Sequence, residues 1–154
     1  MIKNSMFKVS RGKPFLHFCM KNGNYRDECG HPGRECLMDI VKIAETVSAE
    51  IIYRAENSSD LDITGAVAAD LMSEVMLDTE EGSLIITGLI NPQVIRTAEM
   101  LDIYAVLFIR GKNIPQSILE LAQDRGVTVM RTEATMFEAC GKLYTAGIVS
   151  GQSA

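Results

Sequence analysis

The chain reads SLIITGLINPQVIRTAEMLDIYAVLFIRGKNIPQSILELAQDRGVTVMRTEATMFEACGKLY over residues 83–144, and this stretch decides the fold. One pattern occurs in it three times: a short apolar strand, a polar corner and an amphipathic helix. The strands are predicted at 83–87, 104–109 and 127–130, and the helices at 91–101, 115–125 and 135–144. Strands that alternate with helices of this length pair in parallel through crossover helices. We therefore predict a single α/β domain with a mainly parallel β-sheet flanked by helices.

A helix and two strands are predicted before these repeats. Asp39 is a suitable N-cap for a helix whose apolar positions recur at helical spacing, namely Ile40, Ile43, Ala44 and Val47. Strands follow at 49–54 and 63–69, and Gly65 would allow another backbone to approach closely. We expect the compact domain to span residues 38–149.

The remaining helix boundaries are marked by capping residues. Asp70 is expected to cap a short helix that buries Leu71, Met72, Val75 and Met76. Further signals are the N-caps Asn91 and Thr135, the N1 prolines Pro92 and Pro115, and Gly126 at a helix C-terminus. The last helix is expected to bury Met136, Phe137, Cys140, Leu143 and Tyr144. The final residues IVSGQSA (148–154) are expected to fray, and residues 150–154 are assigned as the frayed C-terminus.

Composition is ordinary for a globular domain, with 47% apolar and 23% charged residues. No apolar run approaches the roughly 20 residues of a membrane helix, and no signal peptide is recognisable, so we expect a cytoplasmic protein with no membrane contact. Residues 1–37 carry a net charge of +4, whereas residues 38–154 carry −9. An acidic body argues against nucleic-acid binding by the folded domain.

Residues 1–37 differ in kind from the rest of the chain. They show no helical or strand period and hold both histidines and three of the four cysteines. We interpret them as an irregular extension, either a disordered tail or a segment upstream of the true start at Met38. A chain that starts at Met38 is then expected to keep the full-length melting temperature.

The extension contains one candidate metal cluster, consisting of Cys19, Cys29, His31 and Cys36. Thiolate and imidazole are the ligands that zinc prefers. The spacing matches none of the usual zinc-binding pairs, however, so we favour free thiols over a metal site and expect no cofactor.

Polar and basic residues follow the predicted strands directly. The carboxyl ends of parallel strands share one edge of a sheet, where ligands of open α/β sheets bind. Helix N-termini and basic side chains there could hold an anion such as a phosphate. The candidate anion-binding residues are Asp70, Thr87, Gly88, Asn91, Arg110, Lys112, Arg131 and Thr135. The alternative is that the capping residues only cap and the basic residues are only solvated.

From about Thr64 to Tyr144 the chain resembles the DRTGG domain family. The resemblance rests on TGAVAADLMSEVM (64–76), LIITGLINPQVIRTAEML (84–101), AVLFIRGK (105–112) and VTVMRTEATMFEACGKLY (127–144). This module occurs beside CBS domains in some pyrophosphatases and inside some phosphotransacetylases, and it resembles the N-terminal domain of HPr kinase. The chain looks most like small stand-alone members that accompany iron-only hydrogenase genes in anaerobes.

The signature that gives the family its name is not kept. Ile90 and Asn91 stand where the family has Asp-Arg, and Arg110, Gly111 and Lys112 stand where it has Thr-Gly-Gly. The resemblance implies a regulatory or adaptor domain without chemistry of its own.

Two functional hypotheses follow. The favoured one is a non-catalytic regulatory or ligand-sensing module that binds a nucleotide or phosphometabolite and acts through a homo-oligomer or protein partner. Met72, Met76 and Met100 are candidate partner contacts, although core filling is the favoured explanation for these methionines. The alternative is a small enzyme that acts on a phosphorylated metabolite at the same edge. No histidine lies between 38 and 154 to serve as a general base.

Overall fold

The computed structural model describes residues 37–56, 62–77 and 79–151. The predicted α/β class is confirmed. In order along the chain, the elements are α1 (Ile40–Val47), β1 (Glu50–Tyr53), β2 (Gly65–Ala68), α2 (Met72–Val75), β3 (Ser83–Thr87), α3 (Pro92–Met100), β4 (Ala105–Phe108), α4 (Gln116–Arg125), β5 (Thr128–Arg131), α5 (Met136–Thr145) and β6 (Val149–Ser150).

The described strands form one sheet in the order β1-β5-β4-β3-β2-β6. All neighbouring pairs are parallel except β1 with β5, which is antiparallel. The chain therefore steps from β2 to β5 in one direction and then returns past β2 to add β6. This reversal sends the helices to opposite faces, since crossovers in such sheets are right-handed.

The two faces of the sheet carry different numbers of described helices. The face that we call the closed face packs Ile85, Val106 and Phe108 against α2, α3 and α4. The face that we call the groove face packs Leu84, Ile86 and Leu107 against α1 and α5. Alternate residues of β3 and β4 are thus buried on both sides, which explains why these strands read as continuous apolar runs.

Most predicted helix ends are confirmed. Asp39 caps α1 by accepting from the Lys42 amide at 2.7 Å. Gly126 ends α4 in the left-handed region, with φ of 66°. Pro115, however, is the N-cap of α4 and not its N1 residue, so that prediction was wrong by one position.

The prediction for α2 was wrong in its extent and its cap. The helix is a single turn whose N-cap is Leu71, and Asp70 makes no capping bond to it. Met72 and Val75 are buried as expected, but Leu71 is 58% exposed and Met76 is 46% exposed. The prediction assumed a helix of about eight residues, whereas α2 has a single turn. The chain leaves the helix after Val75, so Met76 does not return to the buried face.

The prediction for the inner face of α5 was also partly wrong. Leu143 is buried, but Phe137 is 88% exposed and Tyr144 is 59% exposed. Ala139, which the prediction omitted, is fully buried and faces the sheet instead. Periodicity identified an apolar face, but α1 is the described helix that packs against α5, and Phe137 and Tyr144 lie outside the part that it covers.

The described end of the chain is ordered by the sheet. Val149 and Ser150 pair in parallel with β2, and the Gly151 amide donates to the Ala66 carbonyl at 2.9 Å. A Cβ on Gly65 would lie 2.7 Å from the Gly151 Cα, so the close approach expected at Gly65 is confirmed. The expectation of fraying was therefore wrong for residues 148–151, because Ile148 is buried in the core and backbone pairing holds the residues that follow it. Residues 152–154 lie outside the described residues.

Candidate functional site

The most distinctive part of the carboxyl edge lies between β4 and β5. The helix after β4 packs on the closed face, whereas the helix after β5 packs on the groove face. The two connecting loops therefore separate here, and ligands of open α/β sheets bind at such a point. We call the ends of β2, β3, β4 and β5, with the residues that follow each, the carboxyl edge.

The loop after β4 has an unusual backbone. Arg110 and Gly111 both adopt left-handed conformations, with φ of 63° and 56°. The Arg110 amide donates to the Ala134 carbonyl at 3.0 Å, and the Gly111 amide donates to the Thr132 carbonyl at 2.9 Å. A left-handed residue other than glycine is uncommon, and such outliers are frequent at functional sites. These two hydrogen bonds fix the turn and leave Arg110 exposed above it.

Gly111 also gives room to an acidic side chain from the next loop. A Cβ at position 111 would lie 2.0 Å from the Glu133 Oε2. The Glu133 carboxylate therefore lies directly against the Gly111 backbone, between the loops that follow β4 and β5. It is a negative charge against the residue that lies between Arg110 and Lys112 in the chain.

Four of the candidate residues form one hydrogen-bonded group at the ends of β2, β3 and β4. The Asp70 carboxylate accepts from the Gly88 amide at 2.7 Å and from the Thr87 hydroxyl at 3.0 Å. The Lys112 ammonium donates to the Gly88 carbonyl. Thr87 also accepts from the Leu89 amide at 3.1 Å. Asp70, predicted as a helix cap, instead holds the exit of β3.

Asn91 and Thr135 act as the predicted caps. Asn91 accepts from the Gln93 amide at 2.8 Å. Thr135 and Glu138 form a reciprocal capping box at the start of α5. The Thr135 amide and hydroxyl both donate to Glu138 and lower the pKa of its carboxyl, with a smaller contribution from Lys142. The cap therefore favours an ionised Glu138 in the first turn of α5.

Arg131 is turned away from the other basic residues of the edge. Its guanidinium pairs with Glu50 on β1 at 2.6 Å. Arg110 has no ion pair with any residue in the described ranges. Of the sequence-predicted set, the fold thus joins four residues into one group, namely Asp70, Thr87, Gly88 and Lys112. It brings Arg110 to the loop that precedes Thr135, pairs Arg131 with Glu50 and leaves Asn91 as a helix cap.

Sequence reasoning missed an apolar groove of about 370 Å3 on the groove face. It runs beside α5 and over β2, and its lining includes Ala66, Ala68, Ile86, Phe137, Gly141 and Tyr144. Cys140 also lines it, and burial raises the pKa of this thiol, so the sulfur is protonated at neutral pH. The signal in the sequence was the stripe 137, 140, 141 and 144, which has helical spacing but lies to one side of the buried stripe.

The remaining features to be located are metal-ligating groups and membrane-spanning helices. The candidate cluster Cys19, Cys29, His31 and Cys36 lies outside the described residues. Within the described ranges, no group of three or more metal-ligating side chains is assembled. No helix in the described part of the chain has the length and apolar character needed to cross a membrane.

The fold and its edge define a class of α/β domain with a mainly parallel sheet between two helical layers and polar loops along its carboxyl edge. Residues 42–146 match the family model of the DRTGG domain. The chain therefore belongs to the DRTGG domain family, as its sequence indicated.

A solved structure with the same fold is the CBS and DRTGG regulatory region of Clostridium perfringens pyrophosphatase, in complex with the activator diadenosine tetraphosphate. The TM-score is 0.60 at 21% identity, over 75% of this chain and 50% of that one. The match thus spans half of the pyrophosphatase fragment, and at this identity it shows the fold alone. No curated protein matches the chain.

Proposed function

We propose that this domain is a non-catalytic regulatory module that binds a nucleotide or another phosphorylated anion at the carboxyl edge. It acts in the cytoplasm through a homo-oligomer or a protein partner, whose behaviour depends on whether the carboxyl edge holds its anion.

The observation that carries the proposal is the conformation of Arg110. A left-handed residue that is not glycine costs about 1–2 kcal/mol. Two hydrogen bonds that the Arg110 and Gly111 amides donate to carbonyls of the loop after β5 maintain this conformation. The result is a fixed backbone position for an exposed Arg110 side chain. Its guanidinium has the geometry for bidentate binding of phosphate.

The negative charges of the edge limit how an anion can approach. Asp70 already accepts two hydrogen bonds, and its remaining charge would repel a phosphate. Glu133 lies against Gly111. An anion is therefore expected on the outer side of the loop, where Arg110 extends, with Lys112 on its flank. Asp70 is assigned the role of holding the β3 exit and not of touching the ligand.

The similarity to a regulatory region that is solved with a nucleotide activator supports the same class of ligand. It does so at the level of fold, since the matched part is half of that chain.

Titration calorimetry with ATP and with tripolyphosphate tests the proposal. Charge-assisted hydrogen bonds contribute about 1.5–3 kcal/mol each. Changing both Arg110 and Lys112 to Ala should therefore weaken anion binding about tenfold or more. Arg110→Gly alone should also weaken binding, yet raise the free energy of unfolding by about 0.5–1 kcal/mol, because glycine adopts this conformation without strain.

The matched control removes two positive charges from the opposite end of the sheet. Lys42 lies in the first turn of α1, and Arg125 ends α4 in an exposed pair with Glu99. The Lys42→Ala/Arg125→Ala variant should bind both anions as the unchanged protein does. If both double variants lose the same amount of affinity, the loss comes from the change in overall charge, and this result would contradict a site at Arg110.

A further inference from the structure

The groove face of the sheet has room beside α5. Two described helices, α1 and α5, pack on this face, whereas three pack on the closed face. The strip over β2 carries only small side chains, Ala66 and Ala68. No helix in the described part of the chain covers this strip, which accounts for the apolar groove. Its floor is β2 and β3, and its wall is α5.

The wall of the groove presents aromatic rings to solvent. Phe137 and Tyr144 lie seven residues apart on α5, which corresponds to about 10 Å along the helix. Gly141 lies between them, and apart from its own helix backbone no atom of the described residues comes within 4 Å of where its Cβ would be. The groove is thus a shallow slot with small residues at its centre and a ring near each end. A volume of about 370 Å3 lies within the range of small-molecule sites.

The upper end of the groove is continuous with the carboxyl edge. Ala68 lines the groove two residues before Asp70, and Ile86 lines it directly before Thr87. Phe137 follows the Thr135 cap by two residues and stands in the first turn of α5. The apolar slot therefore reaches the carboxyl edge at the start of α5, next to the loop whose Ala134 carbonyl accepts from the Arg110 amide.

From this juxtaposition we infer that the apolar groove binds the planar ring of a nucleotide whose phosphates lie at the carboxyl edge. The inference rests on the proposed function, and it adds a site for the ring of the nucleotide to the site for its phosphates. Flat rings stack on exposed aromatic side chains, and the small residues of the floor leave a surface on which a ring can lie.

The test compares a ligand that has a ring with one that lacks it. Calorimetry should show that ATP binds about tenfold more tightly than tripolyphosphate. Stacking of a base on an aromatic side chain contributes a free energy that corresponds to about this change in affinity. Phe137→Ala should remove most of that difference, because it deletes the ring and leaves the phosphate contacts. Phe137→Tyr should restore it. Tripolyphosphate should bind all three proteins alike.

Gly141→Leu provides an independent variant that blocks the slot. A side chain at this position enters open space, and leucine is a better helix former than glycine. The variant should therefore melt at the same or a higher temperature and still lose the preference for ATP. Tyr104→Ala is the matched control, because Tyr104 is a partly exposed aromatic residue outside the groove. It should leave both affinities unchanged.

The outcomes separate this inference from the proposed function. Equal binding of ATP and tripolyphosphate would overturn the ring site and leave the anion site standing. Failure of both to bind would instead contradict the proposed function. A preference for ATP that survives Gly141→Leu would assign the ring to another surface. Conversion of a dimer to a monomer by Phe137→Ala in analytical ultracentrifugation would show that a second copy covers the groove, and would also overturn the inference.

Discussion

The two faces of the sheet bury apolar residues of the same kind but differ in how completely they are covered. On the closed face, Phe108 is fully buried among α2, α3 and α4. On the groove face, Phe137 is 88% exposed on a helix whose other side packs tightly. An aromatic residue on an amphipathic helix therefore need not belong to the core. Exposed apolar patches of this kind mark binding surfaces more often than defects of packing.

The largest expected difference between the two faces is in the stability effects of their phenylalanines, Phe108 and Phe137. Phe108→Ala should reduce the free energy of unfolding by about 3–5 kcal/mol, because it leaves a cavity between the sheet and its helices. Phe137→Ala should change it by less than about 0.5 kcal/mol, as substitutions at exposed positions usually do. Urea denaturation of both variants measures the contrast. Similar losses would mean that α5 is covered in solution and that the groove is filled.

An intermediate effect is expected where the groove meets the carboxyl edge. Asp70→Ala should cost about 1–3 kcal/mol, because it leaves the Gly88 amide and the buried Thr87 hydroxyl without their acceptor. Asp70→Asn keeps one acceptor oxygen and should recover most of the loss. If Ala and Asn prove equally harmful in denaturation experiments, the charge of Asp70 matters more than its hydrogen bonds.

The smallest effects concern two glycines and should have opposite signs. Gly111→Ala should destabilise the domain by about 1 kcal/mol, since φ is positive there and Glu133 occupies the space. Gly141→Ala should stabilise it by about 0.5–1 kcal/mol, because it is a helical position that faces open space. Thermal denaturation resolves both changes. Destabilisation by Gly141→Ala would show that the wall of the groove is closed.

The architecture could be predicted from the amino-acid sequence, because strand and helix periods are local properties. The repeated strand and helix of residues 83–144 predicted β3, α3, β4, α4, β5 and α5 to within one or two residues at each end. The caps Asn91 and Thr135 were equally readable, since a capping bond joins residues two or three positions apart. The shared edge of the candidate residues also followed from the parallel sheet alone.

The tertiary structure decided which of those residues are available to a ligand. Asp70 had the local pattern of a helix cap, but its partners Thr87 and Gly88 lie on the neighbouring strand. Arg131 had the same local signature as Arg110, yet antiparallel β1 brings Glu50 to it. The groove follows from the number of helices on each face, and no local period encodes that number. Contacts between distant segments set the availability of each side chain, whereas the periodicity of the chain set only its element and its edge.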